Sequence, residues 1–238
     1  FLFSDMFIFY PQAASYADHQ GIIKLTTEDR TEISALYVSN RKARYTILFS
    51  HGNAEDIGDI RPIVMMLHDM GFSVFAYDYR GYGTSRGRPS EAGLYRDIDA
   101  AWLYMTEKLS IPPERIIAYG RSIGTGPSVE LAEKRRVAGL ILESPFMSIF
   151  RVVTEIPLLL FDKFNNIQKI GNVHTPVLII HGEKAELVPI RNGRQIFQRA
   201  NKPKYSLWIA NSGHNNIIDA DPVKYREAIT AFSGMIGN

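Results

Sequence analysis

Ser122 stands in Gly120-Arg121-Ser122-Ile123-Gly124, a Gly-x-Ser-x-Gly run that follows an apolar stretch and opens a helical pattern. In that setting the serine occupies a sharp turn, and glycines two residues to either side let a strand and a helix approach without a Cβ clash. A serine hydroxyl is a weak nucleophile until a base takes its proton, so a histidine must reach it and a carboxylate must orient that histidine. When such a triad is built on a sheet, its chain order is Ser, then Asp or Glu, then His. His214, in Ser212-Gly213-His214-Asn215, is last in the chain and follows the final strand-like run, which makes it the candidate base. The remaining histidines read as structural: His68 within a helical pattern, His19 and His174 in loops, His51 and His181 at strand-exit turns. The chemistry of this set is acyl transfer through a serine ester.

These residues need a frame to hold them. Glu32 to Val38 alternates polar and apolar like a half-buried strand, whereas Thr46 to Ser50 and Phe72 to Tyr77 read as short, mostly apolar strands. Arg115 to Tyr119, Ala138 to Leu142, Pro176 to Ile180 and Tyr205 to Ile209 read the same way. Between them, 57–70, 91–109, 124–134, 190–199 and 222–236 place apolar residues at helical spacing, with Ser90 and Asp221-Pro222 as helix starts. Strand and helix in alternation predict an α/β protein: a mainly parallel sheet with helices on both faces and an antiparallel edge from residues 22 to 39. Ligands gather at the carboxyl ends of such strands, where Ser122, His214 and the turns at His51, Asp78, Glu143 and His181 all fall.

Composition narrows the classes. With 238 residues, 45% of them hydrophobic and 22% charged, the chain can fill a core and is not a disordered segment. Twenty-seven basic against 25 acidic residues, a net charge of +2, is too balanced for a protein built to hold nucleic acid. The absence of cysteine excludes a disulfide scaffold, a thiolate zinc site and a cysteine nucleophile. No spacing such as H-E-x-x-H suggests a metal hydrolase, and no cofactor is called for. No run approaches the roughly 18 to 20 apolar residues of a membrane span, so the chain as given is expected to be soluble. Its opening, Phe1 to Tyr10, is greasy and does not begin with Met, which suggests residues removed upstream. A lost segment of that kind leaves two localisations open, cytoplasmic or attached to a membrane surface. Nothing marks a second domain, and residues 1–238 read as one.

Four motifs agree in order with a known family: His51-Gly52-Asn53-Ala54-Glu55-Asp56, Asp78-Tyr79-Arg80-Gly81-Tyr82-Gly83-Thr84-Ser85, Gly120 to Gly126, and Ser212 to Asn215. From about Phe9 to Ile236 the chain resembles the α/β-hydrolase superfamily. Within it, the chain is most similar to the lidless branch of Bem46-like proteins and ABHD17-like protein depalmitoylases. The resemblance implies an α/β-hydrolase fold with a minimal lid. It also implies a carboxylesterase or acyl-thioesterase activity on lipid-like acyl groups, acylated proteins included. One departure stands out. Family members read His-Gly-x-x-Asp-x-x-Val-Pro where this chain reads His181-Gly182-Glu183-Lys184-Ala185-Glu186-Leu187-Val188-Pro189, so Ala185 occupies the position of the triad acid. Three accounts compete: a deliberate Asp-to-Ala replacement that disables the enzyme, a natural loss of activity, and rescue by Glu186 or Glu143. Loss of the orienting acid alone costs about 10⁴-fold in turnover, or roughly 5 kcal/mol of transition-state stabilisation.

The developing oxyanion needs amide donors, for which the resemblance offers Ile123 and Asn53, with Ala54 as the runner-up. The Asn53 side chain has a second reading as a helix cap. Ala54, Arg121, Leu159 and Val188 are the candidate substrate contacts. Arg80, Tyr82, Arg86, Arg88 and Arg121 cluster near these loops, mainly as bracing and alternatively for an anionic head group. Residues 146–172 form a short cap-like insertion, whose apolar run around Leu159 suits an acyl pocket, a lipid surface or plain core. Three functions follow: a Ser122 esterase or thioesterase, a catalytically inactive pseudo-hydrolase that binds an acyl ligand or partner, and a serine peptidase. The last is disfavoured by the lack of a propeller or cap to select peptides.

Overall fold

The computed structural model describes residues 8–18, 21–149 and 163–236. The chain divides into two compact units, 1–117 and 118–238.

In the first unit, β1 (Ile22–Thr26) and β2 (Glu32–Val38) form an antiparallel pair with Ile22 opposite Leu36, and β2 pairs antiparallel with β4 (Ser73–Tyr77). β3 (Thr46–Ser50) lies parallel on β4, giving the order β1-β2-β4-β3 and the antiparallel edge that the 22–39 pattern suggests. Every residue of β3 and β4 is buried, which accounts for their continuous apolar runs. Helix α1 (Arg61–Asp69) begins later than the pattern over 57–70 implies. The reason is local: Asp56 Oδ1 accepts the amides of Gly58 at 2.9 Å and Asp59 at 3.2 Å, closing an Asx turn where the helix would start. Helix α2 (Glu91–Leu103) is capped as expected, Gly93 N donating to Ser90 Oγ at 3.1 Å. It loosens into a π turn over Tyr104–Lys108, where Thr106 Oγ1 donates back to the carbonyls of Trp102 and Leu103.

The second unit carries β5 (Ile116–Arg121, starting at the boundary), β6 (Gly139–Glu143), β7 (Val177–Gly182) and β8 (Lys204–Ile209) in that spatial order. β6 and β8 both run parallel to β7, with Glu143 opposite Ile180 and Gly182 opposite Ile209. Parallel strands need crossovers, which here contain α3 (Thr125–Lys134), α4 (Asn166–Lys169) and α5 (Ile190–Arg199). Two further helices, α6 (Ile217–Ala220) and α7 (Pro222–Met235), follow β8; Asp221 Oδ1 accepts from Lys224 N at 3.1 Å to cap α7. Of the cap-like insertion, 150–162 lie outside the described residues, and Leu159 with them. Its trailing flank packs on the unit: Phe164 meets Phe146 edge-on at 6.2 Å, and a Cβ at Gly126 of α3 would sit 2.3 Å from the Phe164 ring. Among the described residues no helix is long and apolar enough to cross a membrane.

Candidate active site

β5 delivers Ser122 into a left-handed turn, with φ at 51°. An L side chain there is strained, and such strain persists only when the surrounding structure enforces it. Enforcement comes from Gly120: a Cβ at that position would lie 2.4 Å from the Gly124 carbonyl oxygen and 2.7 Å from the Thr125 Cα. The Thr125 hydroxyl donates to the Ser122 carbonyl at 2.7 Å, drawing the turn into α3. Ser122 therefore leaves the sheet with its side chain half-buried, and the Ile123 amide follows at the start of a helical stretch, where amide hydrogens lack intrahelical partners.

The loop after β8 brings His214 to it. His214 Nε2 lies 3.0 Å from Ser122 Oγ, although 92 residues separate them. His214 is 6% exposed, and its Nδ1 is buried with no hydrogen-bond partner among the described residues. The loop is set by its neighbour, the turn after β7. Lys184 N donates to the Ser212 carbonyl at 2.8 Å, and a Cβ at Gly182 would fall 2.4 Å from the Gly213 carbonyl oxygen. Ala185 belongs to that turn and is buried, its amide donating to the Gly182 carbonyl. Burial pushes the His214 imidazole down to about 4, helped by the nearby His181 ring and the Arg121 charge, with no carboxylate opposing them.

The two neighbouring carboxylates are placed differently. Glu143, at the end of β6, is buried and receives the Tyr119 and Tyr225 hydroxyls on Oε2, the latter at 2.8 Å, while Arg121 Nε lies 3.2 Å from its Oε1. Both its oxygens are thus committed within a buried cluster, and Arg121 lies on that carboxylate. Glu186 is exposed, and a Cβ at Gly213 would meet its Oε2 at 3.2 Å. It does not bond His214 Nδ1. Val188 is buried, and its carbonyl faces His181 Nε2 at 2.8 Å. An open cleft of about 670 Å³ lies over His214, lined also by Lys184, Glu186, Leu187, Asn215 and Asn216. Lys184 and Asn215 fall within the quoted motifs without a role of their own, and Asn216, two residues beyond His214, lies outside them.

Asn53 and Ala54 lie in the first unit, in the loop after β3. Ala54 is exposed with φ at 61°, and the Asn53 side chain caps no helix. It holds the N-terminal arm instead. Asn53 Oδ1 accepts from Tyr10 N at 3.0 Å and from the Tyr82 hydroxyl at 2.6 Å, and Asn53 Nδ2 donates to the Ile8 carbonyl at 2.7 Å. The same arm donates through Ser15 N to Asp56 at 2.7 Å. Arg80 forks onto Asp29 and Asp97, a bracing contact of the expected kind. His51 is buried against the Tyr79 ring with Nδ1 2.8 Å from the Gly52 carbonyl oxygen. Among the described residues no group of three or more His, Asp or Glu is placed to hold a metal ion.

The chain is similar to known proteins in sequence and in fold. Residues 41–169 match the family described as serine aminopeptidase, S33. Alpha/beta hydrolase domain-containing protein 17B of Xenopus tropicalis is 43% identical over 195 residues, spanning 80% of this chain and 68% of that protein. Protein 17C of Homo sapiens is 44% identical over 178 residues, spanning 74% of this chain and 54% of that one. Among solved structures, the Pyrococcus furiosus esterase Pf2001 is similar in fold, with a TM-score of 0.79 over 95% of this chain and 98% of that chain at 17% identity.

Proposed function

Because the chain belongs to the α/β-hydrolase superfamily, as a hydrolase of the alpha/beta hydrolase domain-containing protein 17 type, we propose that it cleaves acyl ester or thioester bonds through a Ser122 acyl-enzyme. The observation that carries this reading is His214 Nε2 at 3.0 Å from a Ser122 held in a strained turn. Ser122 Oγ attacks the acyl carbon as His214 Nε2 takes its proton. The Ile123 amide, at the start of the helical stretch that follows the nucleophile, receives the oxyanion. His214 then protonates the departing alkoxide or thiolate, and water repeats the sequence to free the acid.

Ala185 limits the rate in this scheme. For Ser122 to donate its proton to Nε2, the ring must carry its hydrogen on Nδ1, where no acceptor stands among the described residues. Burying that donor without a partner costs about 1–3 kcal/mol, so the ring favours the opposite tautomer, which donates to Ser122 rather than accepting from it. The same unpartnered Nδ1 favours the second reading, a pseudo-hydrolase that holds an acyl ligand without turning it over. Hydrolysis of p-nitrophenyl esters of graded acyl length, with Ser122→Ala as blank, separates the two. Turnover above the blank supports the hydrolase, and its length profile sizes the acyl pocket. A chain that binds the esters but never exceeds the blank, even as Ala185→Asp, is a binding protein.

A further inference from the structure

We propose that the turn bearing Ala185 is a binding site for a small carboxylate anion of formate size, which docks beside His214 Nδ1 and switches the Ser122–His214 pair on. This rests on the reading of Ala185 as the position of the triad acid. Three features carry it. The first is the ring nitrogen itself: His214 is 6% exposed, and its Nδ1 is buried with no partner among the described residues. Buried polar atoms are nearly always paired, so a solitary one marks a place where an acceptor fits.

The second is the fit and its access. The turn is pinned to the His214 loop through Lys184 N on the Ser212 carbonyl at 2.8 Å and through the close approach of Gly182 to Ser212 and Gly213. Alanine differs from aspartate at this turn by one carboxylate, three heavy atoms, and formate consists of those three atoms. Solvent reaches the loop through the 670 Å³ cleft, which His214 lines together with the residues on either side of Ala185. The third is charge. Arg121, which also lies on the Glu143 carboxylate, acts on His214 as a positive neighbour, and Lys184 lines the cleft together with Glu186, so two cationic groups favour an entering anion.

A bound formate accepts the Nδ1 hydrogen and fixes the tautomer in which Nε2 is free to take the Ser122 proton. It stabilises the imidazolium that follows and is itself neither consumed nor protonated.

The test uses the chain as it is. Hydrolysis of p-nitrophenyl acetate is followed while sodium chloride is exchanged for sodium formate at constant ionic strength, then for acetate and propionate. A tethered acid contributes about 10⁴-fold and an untethered one recovers part of that, so the expected result is a saturable rise of about tenfold or more. It declines as the anion grows, and it is absent from both Ser122→Ala and Ala185→Asp. A formate effect that is linear, or that persists in Ser122→Ala, is solution catalysis and overturns the site. If formate matches chloride while Ala185→Asp turns over rapidly, the site is refuted and the reading of position 185 stands. If formate and Ala185→Asp are both without effect, the acid-position reading falls, and the site with it.

Discussion

Ala185→Asp tests the reasoning about the site most sharply, because it predicts two effects of opposite sense. The first is a gain. An acceptor at Nδ1 removes the penalty of about 1–3 kcal/mol for an unpaired buried donor and adds stabilisation of the imidazolium. Together these approach the roughly 5 kcal/mol, about 10⁴-fold, attributed to the orienting acid. The second effect is on pH dependence. In the parent, His214 is pushed down to about 4 by burial and by the neighbouring His181 and Arg121, so its base form persists to low pH. A carboxylate beside it returns the imidazole to about its ordinary 6.5 or above. At pH 5 most of the parent's rings are still neutral, against about 3% of the variant's, so the gain shrinks about twentyfold between pH 7 and pH 5. The assay is kcat/KM for p-nitrophenyl acetate from pH 4.5 to 8.5 in both proteins. Acid limbs that coincide refute the argument, whatever the size of the gain.

Three further outcomes follow from the same geometry. His214 titrates near 4 folded and near 6.5 unfolded, so the stability it contributes is complete above pH 6.5 and is lost as the pH falls through 4; the loss is roughly 3 kcal/mol, read from urea midpoints, and is smaller in Ala185→Asp. Glu143→Gln removes the buried charge on which Arg121 lies and disrupts the contacts of Tyr119 and Tyr225, lowering stability by about 3–5 kcal/mol in chemical denaturation. Glu186→Gln changes p-nitrophenyl ester hydrolysis by less than about threefold, since its exposed carboxylate makes no bond to His214; a larger fall identifies Glu186 as the orienting acid.

What the sequence made legible, and what it hid, divide along the line between local and distant interactions. Ser122 was readable because its turn is dictated within five residues, by the clash that Gly120 avoids with Gly124. β3, β4 and β7 were readable because strands buried on both faces must be apolar throughout. His214 was readable from chain order, and its 3.0 Å approach to Ser122 agrees with that order. The start of α1 was not, because the Asx turn at Asp56 competes with helix over residues that carry helical spacing. Asn53 was half legible: a polar side chain after a strand suggests a cap, and nothing near it announces that Tyr10, 43 residues earlier, takes the acceptor instead. Arg121 is read both as bracing and as a substrate contact because it adjoins the nucleophile, and its contact with Glu143 bridges two strands and has no local pattern. Ala185 belongs to both classes. Its departure from the family motif is visible in one residue, whereas the buried Nδ1 of His214, without an acceptor among the described residues, is seen only where the turn after β7 meets the loop after β8. The surroundings of His214 Nδ1 are therefore set at a loop–loop contact, while the scaffold that holds Ser122 is set strand by strand.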